Sequence, residues 1–451
     1  MATNGPFATF DEAYAYIAQF TNYERMAHVD YTRQAMDLDR VRRVLTALDS
    51  PDTAYPIVHV AGTKGKGSVC AMIASILRRA GFRVGLFSKP HLVRLNERIS
   101  VNGQDITDEQ FVALMNRLYQ HLEAQRVAGN PLTFFDLITI LALAHFANEA
   151  VDFVVLEVGL GGRLDSTNVV TPSASVITTI GYDHTEQLGD TLGKIAREKA
   201  GIIKPGVPVV SAVSDPEPGE VILDVARRQQ APLYAYERDF QLELPASSDR
   251  FSVRTWRELY TELTLPLLGE HQRRNATVAI GAIEALREAA SLSLATEAVS
   301  QGLESVRIRG RIERLSDDPL VVLDVAHNPD SLRTLRETLQ STYPERSWVA
   351  LFGTPIDKDV DGNLREILQL ASHVVFTTTD NPRGTPPGDL RQKAESISPD
   401  VASDAIPDLE AALRRALKLA GRRRGTCIAG WFHMAGEVAK LWSGQDPLAR
   451  S

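Results

Sequence analysis

Short, almost wholly apolar runs alternate with longer stretches of helical period along the first two thirds of the chain. Runs at 56–60, 83–87, 152–158, 174–180 and 207–211 read as strands, and 68–80, 107–128, 133–149 and 188–200 read as helices. Residues 8–20 and 34–49 also carry helical spacing, the second with Met36, Leu38, Val41, Val44 and Leu45 in an apolar stripe. Strands without polar alternation belong in a sheet covered on both faces, and the intervening helices make that sheet mainly parallel. Part of 231–266 reads as antiparallel ribbon, and helices over 272–289 and 293–302 close the domain.

A second alternation follows: strand 320–325, helix 330–340, strand 347–352, helix 361–370, strand 373–378, helices 388–396 and 408–420, strand 426–430 and helix 433–442. This pattern is that of a smaller Rossmann-like α/β domain. Between the two, Val306 to Arg314 is dense in arginine and poor in apolar runs, which sets domains at 1–305 and 306–451 with a junction near 306–310. The loops Asp215-Pro216-Glu217-Pro218-Gly219 and Asn381 to Pro387 announce themselves by their turn residues.

The strongest chemical signal sits at the first strand-to-helix junction, in Ala61-Gly62-Thr63-Lys64-Gly65-Lys66-Gly67-Ser68. Glycines let backbone N–H groups converge on anionic oxygens, and the helix N-terminus adds its positive dipole end. Lys66 then reaches the terminal phosphates and the Ser68 hydroxyl ligates Mg²⁺, as in a P-loop, although Gly67 is inserted between the two. The fold expected is therefore α/β, a P-loop ATPase-like larger domain with a mainly parallel sheet followed by the Rossmann-like one. The bland alternative is a flexible turn with a solvent-facing lysine.

Other polar groups fall at strand ends, where open α/β sheets bind ligands. Glu157 closes Phe153-Val154-Val155-Leu156 and can hold Mg²⁺; the glycine-rich loop Gly159 to Asp165 follows, with Arg163 and Asp165 expected exposed or, on the bland reading, in a surface salt bridge. His184 follows the strand 174–180, and an imidazole beside Ser68 and Glu157 implies a second Mg²⁺ site or tolerance of Mn²⁺. Lys199 closes the next helix, where the helix dipole alone would favour a lysine. In the second domain Asp324 suits a ribose hydroxyl and His327 a hydroxyl or phosphate, while Asn328 suits a helix cap.

Composition narrows the partners. A chain of 451 residues exceeds one ordinary core, and 44% apolar with 24% charged residues is the balance of a soluble globular protein. The formal charge of −8 gives no general attraction to nucleic acid or anionic membranes, and no apolar run is long enough to span a bilayer. The start Met1-Ala2-Thr3-Asn4 lacks the pattern of a secretory signal, and Cys70 and Cys427 read as buried thiols in a reducing compartment, so the cytosol is the expected location.

Taken together the motifs resemble the folylpolyglutamate synthase / dihydrofolate synthase family within the muramyl-peptide ligase superfamily. The resemblance spans nearly the whole chain: His59 to Ser68, Pro90-His91-Leu92 with Asn96-Glu97-Arg98, Thr133-Phe134-Phe135, Leu156 to Asp165, Asp183-His184-Thr185, Lys199 to Lys204, Gly269-Glu270-His271-Gln272 with Asn275-Ala276, Gly310-Arg311, Asp324 to Pro329, Asp357-Lys358-Asp359 and Ala435-Gly436-Glu437.

The resemblance implies an ATP-dependent ligase adding L-glutamate to dihydropteroate, to the γ-carboxyl of tetrahydrofolate (poly)glutamates, or to both, through an acyl phosphate. It implies that Ser68, Glu157 and His184 hold Mg²⁺ at two sites, that Lys199 matches a lysine carbamylated in the family, and that Lys66, Lys199 and His184 are catalytic. Gly62, Thr63, Lys64, Gly65, Lys66, Gly67, Ser68, Asn275, Arg311, Asp324 and His327 would bind ATP, and His91, Arg94, Phe134, Arg163 and Asp165 the acceptor. It further implies domain closure around ATP, no nucleic-acid or membrane partner, and a monomer. Lys64, Lys89, Asp136, Val325 and Arg309 depart from the family's usual residues, and the first three stand where a change of acceptor would register. The segment from Tyr23 to Asp39, where the family binds the pterin, matches more loosely. The remaining alternatives are a ligase for a different carboxylate and a silent ATP-binding module.

Overall fold

Ile57–Ala61 is buried along its whole length, as an apolar run between helices must be, and it forms β1 at the centre of a sheet. The computed structural model describes residues 5–25, 36–244 and 250–444. Contacts divide the chain into two units, one of residues up to Val306 and one from Arg307 onward that also takes Leu92–Arg94 and Leu267–Glu270.

In the first unit, β2 (Val84–Phe87), β3 (Ile99–Val101), β4 (Gln104–Asp105), β5 (Phe153–Glu157), β6 (Ala174–Ile177), β7 (Val209–Ser211) and β8 (Leu233–Ala235) join β1. Among the described residues the order is β4-β3-β2-β5-β1-β6-β7-β8. Neighbours from β2 through β8 pair in parallel, and β2–β3 and β3–β4 pair antiparallel. Parallel pairing brings the carboxyl ends of β2, β5, β1 and β6 side by side on one edge.

The helix Phe134–Asn148 is apolar all round and lies in the core with Phe10–Ile17, Leu38–Ala47 and Asp108–Val127. On Lys66–Arg79, Ile76 approaches helix Thr296–Ser305 so closely that a Cβ on Gly302 would lie 2.5 Å from the Ile76 Cα. Strands β9 (Gln241–Glu243), β10 (Phe251–Arg254) and β11 (Leu259–Leu263) form the antiparallel ribbon expected within 231–266.

The second unit is built on β12 (Glu313–Asp317), β13 (Leu320–Leu323), β14 (Trp348–Phe352), β15 (Ala371–Phe376), β16 (Ala402–Ala405) and β17 (Gly425–Ala429), in the order β12-β13-β17-β14-β15-β16. Only β12 runs antiparallel to its neighbour. Period-two patterning splits β14 between two cores, Trp348, Ala350 and Phe352 facing one and Val349 and Leu351 the other. Cys70 and Cys427 are both free and buried.

The α/β class read from the sequence is the one found. The differences are local. The hairpin β3–β4, β12 and β16 escape sequence reading because they are short and carry polar residues. The helix expected over 188–200 is two, Thr185–Leu188 and Leu192–Lys199, broken at Gly189, whose φ is +104°. The strand expected to reach 180 stops at Ile177 because the Thr178 and Thr179 hydroxyls bond to the loop after β1. The helices expected over 8–20 and 34–49 span Phe10–Ile17 and Leu38–Ala47, residues 34 and 35 lying outside the described ones.

Candidate active site

Four neighbouring strand ends of the first unit deliver the site. β1 gives the loop Gly62–Gly65, after which helix Lys66–Arg79 begins. Gly62 has φ +150° and a Cβ there would stand 1.8 Å from Thr178 Oγ1; Gly65 has φ +86° and faces Asn275 Oδ1. Both positions exclude a side chain. The loop is clamped to the end of β6: Thr63 N donates to Thr179 O at 2.7 Å, Lys64 N to Thr179 Oγ1 at 3.0 Å, and Thr178 Oγ1 to Lys64 O at 2.7 Å. Those bonds consume two loop N–H groups, and the first-turn N–H groups of the helix, which have no intrahelical partner, remain as the anion cradle.

Lys66 folds back over its own loop, Nζ donating to Gly62 O at 2.9 Å and Thr63 O at 3.4 Å. Desolvation, with a contribution from Lys89, holds its ammonium below the ordinary lysine range against the pull of Glu157 and Asp183. Lys199 reaches the same carbonyl, Nζ to Gly62 O at 3.0 Å, and is 4% exposed. Burial and the neighbouring Lys66 bring its pKa down to about 7.

Glu157, 4% exposed at the end of β5, borders the first turn of the same helix: a Cβ on Gly67 would lie 3.5 Å from its Oε2. Ser68 is buried one residue further on. His184 sits in left-handed backbone at φ +50°, 3.8 Å from Asp183, and desolvation, then Lys89, Lys199 and Lys66, lower its pKa. A secluded carboxylate, a hydroxyl and an imidazole are donors suited to a divalent cation bound mainly through oxygen. Among the described residues no three His, Cys, Asp or Glu side chains cluster as a ready metal cage.

On the acceptor side, the expectation that Arg163 and Asp165 are both exposed is half right. Arg163 is exposed and ion-paired with Glu198 at 2.8 Å, whereas Asp165 is 5% exposed. Its carboxylate is taken up by the N–H of Leu160, the N–H of Thr167 and the Thr167 hydroxyl, so it knots the glycine-rich loop. Arg163, Leu164 and Asn168 line a cleft of about 670 Å³ together with Met36, Asp37, Leu38, Asp39 and Arg42.

His91 is oriented by Arg98, whose Nε donates to Nδ1 at 2.9 Å and leaves Nε2 as the protonated nitrogen. Arg98 also chelates Glu24 and lies over the ring of Phe134, which is itself 3% exposed and part of the core. Arg94 falls in Leu92–Arg94, which belongs to the second unit. Asp136 is a fixture of the core: it pairs with Arg40 at 2.8 Å, accepts from Thr133 N at 2.7 Å and from Ser166 Oγ at 2.6 Å.

The second unit has its own polar cluster. Asp324 directly follows β13, is 7% exposed, and accepts from Ile312 N at 2.8 Å and Ala326 N at 2.7 Å; burial raises its pKa and Arg311 opposes. Arg311 lies over the Phe432 ring, 5.6 Å from its centroid, and His327 Nδ1 bonds Val325 O at 2.9 Å. Asn328 caps helix Pro329–Thr342 through a reciprocal bond with Ser331, as its cap reading requires.

This chain also matches known proteins. The model of the Mur ligase middle domain matches residues 60–283, and that of the Mur ligase glutamate ligase domain matches 310–432. The dihydrofolate synthase/folylpolyglutamate synthase of Bacillus subtilis is 39% identical over 373 residues, 81% of this chain and 86% of the relative. The chain belongs to the dihydrofolate synthase/folylpolyglutamate synthase family.

Solved structures agree. The ligase aligns with Mycobacterium tuberculosis folylpolyglutamate synthase complexed with ADP at a TM-score of 0.85 and 30% identity, over 97% of this chain and 99% of that one. With E. coli FolC in complex with DHPP and ADP the TM-score is 0.83 at 29% identity, over 98% and 99%. The protein is an ATP-dependent ligase that joins glutamate to folates. In this ligase the residues that sequence reading passed over are Thr178, Thr179 and Phe432. The two threonines carry no motif of their own and show their role only by bonding to the loop, and Phe432 meets Arg311 across the fold of its unit.

Proposed function

We propose that this ligase accepts dihydropteroate, the γ-carboxyl of tetrahydrofolate glutamates, or both, and proceeds through an acyl phosphate. The observation that carries the reading is the convergence of the clamped phosphate loop, Lys66 and Glu157 on adjoining ends of β1 and β5. A carboxylate is a poor electrophile. Its oxygen attacks the γ-phosphorus of ATP, the bond to ADP breaks, and the acyl phosphate so formed has a good leaving group. The glutamate amine then attacks the acyl carbon, phosphate departs, and the amine gives up its proton as the amide forms.

Within this reading Gly62, Thr63, Lys64, Gly65, Gly67 and Asn275 shape the nucleotide site, and Lys66 stabilises charge on the transferring phosphoryl. Ser68, Glu157 and His184 would hold Mg²⁺, which when bound neutralises phosphate charge. Arg311, Asp324 and His327 are the nucleotide-side groups assigned to the second unit. The cleft beside Arg163 and Asn168 suits the pterin end of the acceptor, because it offers carboxylates, an arginine and an apolar wall together. No helix of the described residues is long and apolar enough to cross a membrane. The reading takes the working form as a cytosolic monomer without a nucleic-acid partner.

The test is phosphate release from ATP, Mg²⁺ and glutamate with dihydropteroate, tetrahydrofolate or no acceptor, with product mass read in parallel. Acceptor-dependent release with a gain of one glutamate residue on either compound supports the reading and names the substrate. ATP binding without acceptor-dependent release on either would move the protein to another carboxylate.

Carbamylation of Lys199 belongs to the same reading. The reaction joins the neutral amine to CO₂ and releases one proton, and the fold supplies the neutral amine by holding the pKa near 7. A protonated amine has no lone pair to attack with, so carbamate occupancy should fall as the pH drops through about 7. The carbon-13 NMR signal of protein equilibrated with labelled CO₂ measures this. A signal absent above that pH, or unchanged across it, counts against the assignment.

A further inference from the structure

Four lysines stand around this site, and the reading above employs three, Lys64, Lys66 and Lys199. Lys89 is the fourth. It follows β2, which pairs with β5 through Phe87 and Leu156, and its N–H donates to Glu157 Oε2 at 3.1 Å. This bond fixes its backbone beside the carboxylate that borders the phosphate loop. Its charge acts on Lys66, His184 and Lys199 on the phosphate side, and on Glu24 and Asp165 on the acceptor side. Its N–H bond to Glu157 puts it beside the phosphate loop, and its charge is felt as far as Glu24 and Asp165.

What distinguishes it is the state of its ammonium. The Lys66 and Lys199 ammonium groups are both taken by the Gly62 carbonyl. Among the described residues Lys89 Nζ makes no hydrogen bond or ion pair, although the residue is only partly exposed. The acidic groups around it are engaged elsewhere. Glu24 is chelated by Arg98, and Asp165 is bound by the loop it knots. A partly desolvated cation ringed by committed carboxylates has an anion of the ligand as its natural partner.

We propose that Lys89 binds the reacting carboxylate of the acceptor and holds it toward the phosphate loop. The proposal rests on the acceptor being a carboxylate, as the proposed function has it. The phosphates of ATP are served by Lys66 and the helix N-terminus. The acceptor's carboxylate must come up to that loop, beside which the N–H bond to Glu157 fixes Lys89. The bland alternative is a solvated lysine that balances Glu24 and Asp165 at a distance.

The experiment compares wild type, Lys89→Met and Lys89→Arg as full-length chains, measuring KM for acceptor and for ATP, and kcat. Loss of one charge-assisted contact is expected to raise the acceptor KM of Lys89→Met about tenfold or more. Its ATP KM should stay within about twofold, and Lys89→Arg should recover most of the loss. An acceptor analogue with the reacting carboxylate replaced by a neutral amide should bind wild type and Lys89→Met alike, measured by pterin fluorescence. A structural role would not produce that selectivity.

Wild-type turnover together with an unchanged acceptor KM in Lys89→Met, or equal losses for the carboxylate and the amide, overturns the proposal alone. A wild-type protein without acceptor-dependent phosphate release overturns the ligase reading and this proposal together.

Discussion

Lys66→Met should lower kcat about 10²- to 10³-fold while leaving the protein as stable as wild type. The loss follows from the geometry. Lys66 Nζ is held over the phosphate loop by Gly62 O and Thr63 O, so its charge is in place before the phosphoryl group arrives and need not be reorganised. The preserved stability follows from the electrostatics. Desolvation disfavours the charged form of this lysine in the folded state, so a neutral chain of similar length removes a cost along with two hydrogen bonds. Single-turnover phosphate release and a thermal melt measure the two parts. Activity within tenfold of wild type would remove Lys66 from the phosphoryl-transfer step.

Asp136→Ala should cost about 3–5 kcal/mol of stability, the largest single loss expected in the first unit. Arg40 and Asp136 are 7% and 4% exposed in their side chains, and the pair is fixed by Thr133 and Ser166 as well. Removing the carboxylate takes the 2.8 Å ion-pair partner from a guanidinium that is itself buried. Replacing both residues, as Arg40→Met with Asp136→Leu, should be less damaging than Asp136→Ala alone, because no charge is then stranded. Denaturant titration of the three variants measures the difference. Because Asp136 faces the core and not the cleft, the acceptor KM of whatever Asp136→Ala remains folded should be near that of wild type. A selective rise would return Asp136 to the acceptor-determining residues suggested by its departure from the family pattern.

The reach of the sequence differed by residue for physical reasons. The phosphate loop was legible because a strand, three glycines, a lysine and a serine in that order impose one backbone shape, and both Gly62 and Gly65 prove to stand where a Cβ would collide. Glu157 was legible because a charged residue ending an apolar strand must lie at the sheet edge. Asp165 was misread as exposed: its loop is polar and rich in glycine, and only the folded turn brings the Leu160 and Thr167 N–H groups onto the carboxylate. Thr178 and Thr179 were passed over because a threonine pair at a strand end is unremarkable until the neighbouring loop docks on it.

By itself, then, the sequence determined the α/β class, the alternation that builds two sheets, the phosphate loop, and a family membership that the matching relatives share. Periodicity and glycine placement are local constraints, and local constraints survive in one dimension. The tertiary structure decided the rest: that β2, β5, β1 and β6 are neighbours, that Lys66 and Lys199 share one carbonyl, that Asp136 is a core anchor, and that the Lys89 backbone is bonded to Glu157 beside the phosphate loop. Each of these depends on contacts between residues far apart in the chain. Strand order and burial set them, and neither is written in the spacing of any single segment.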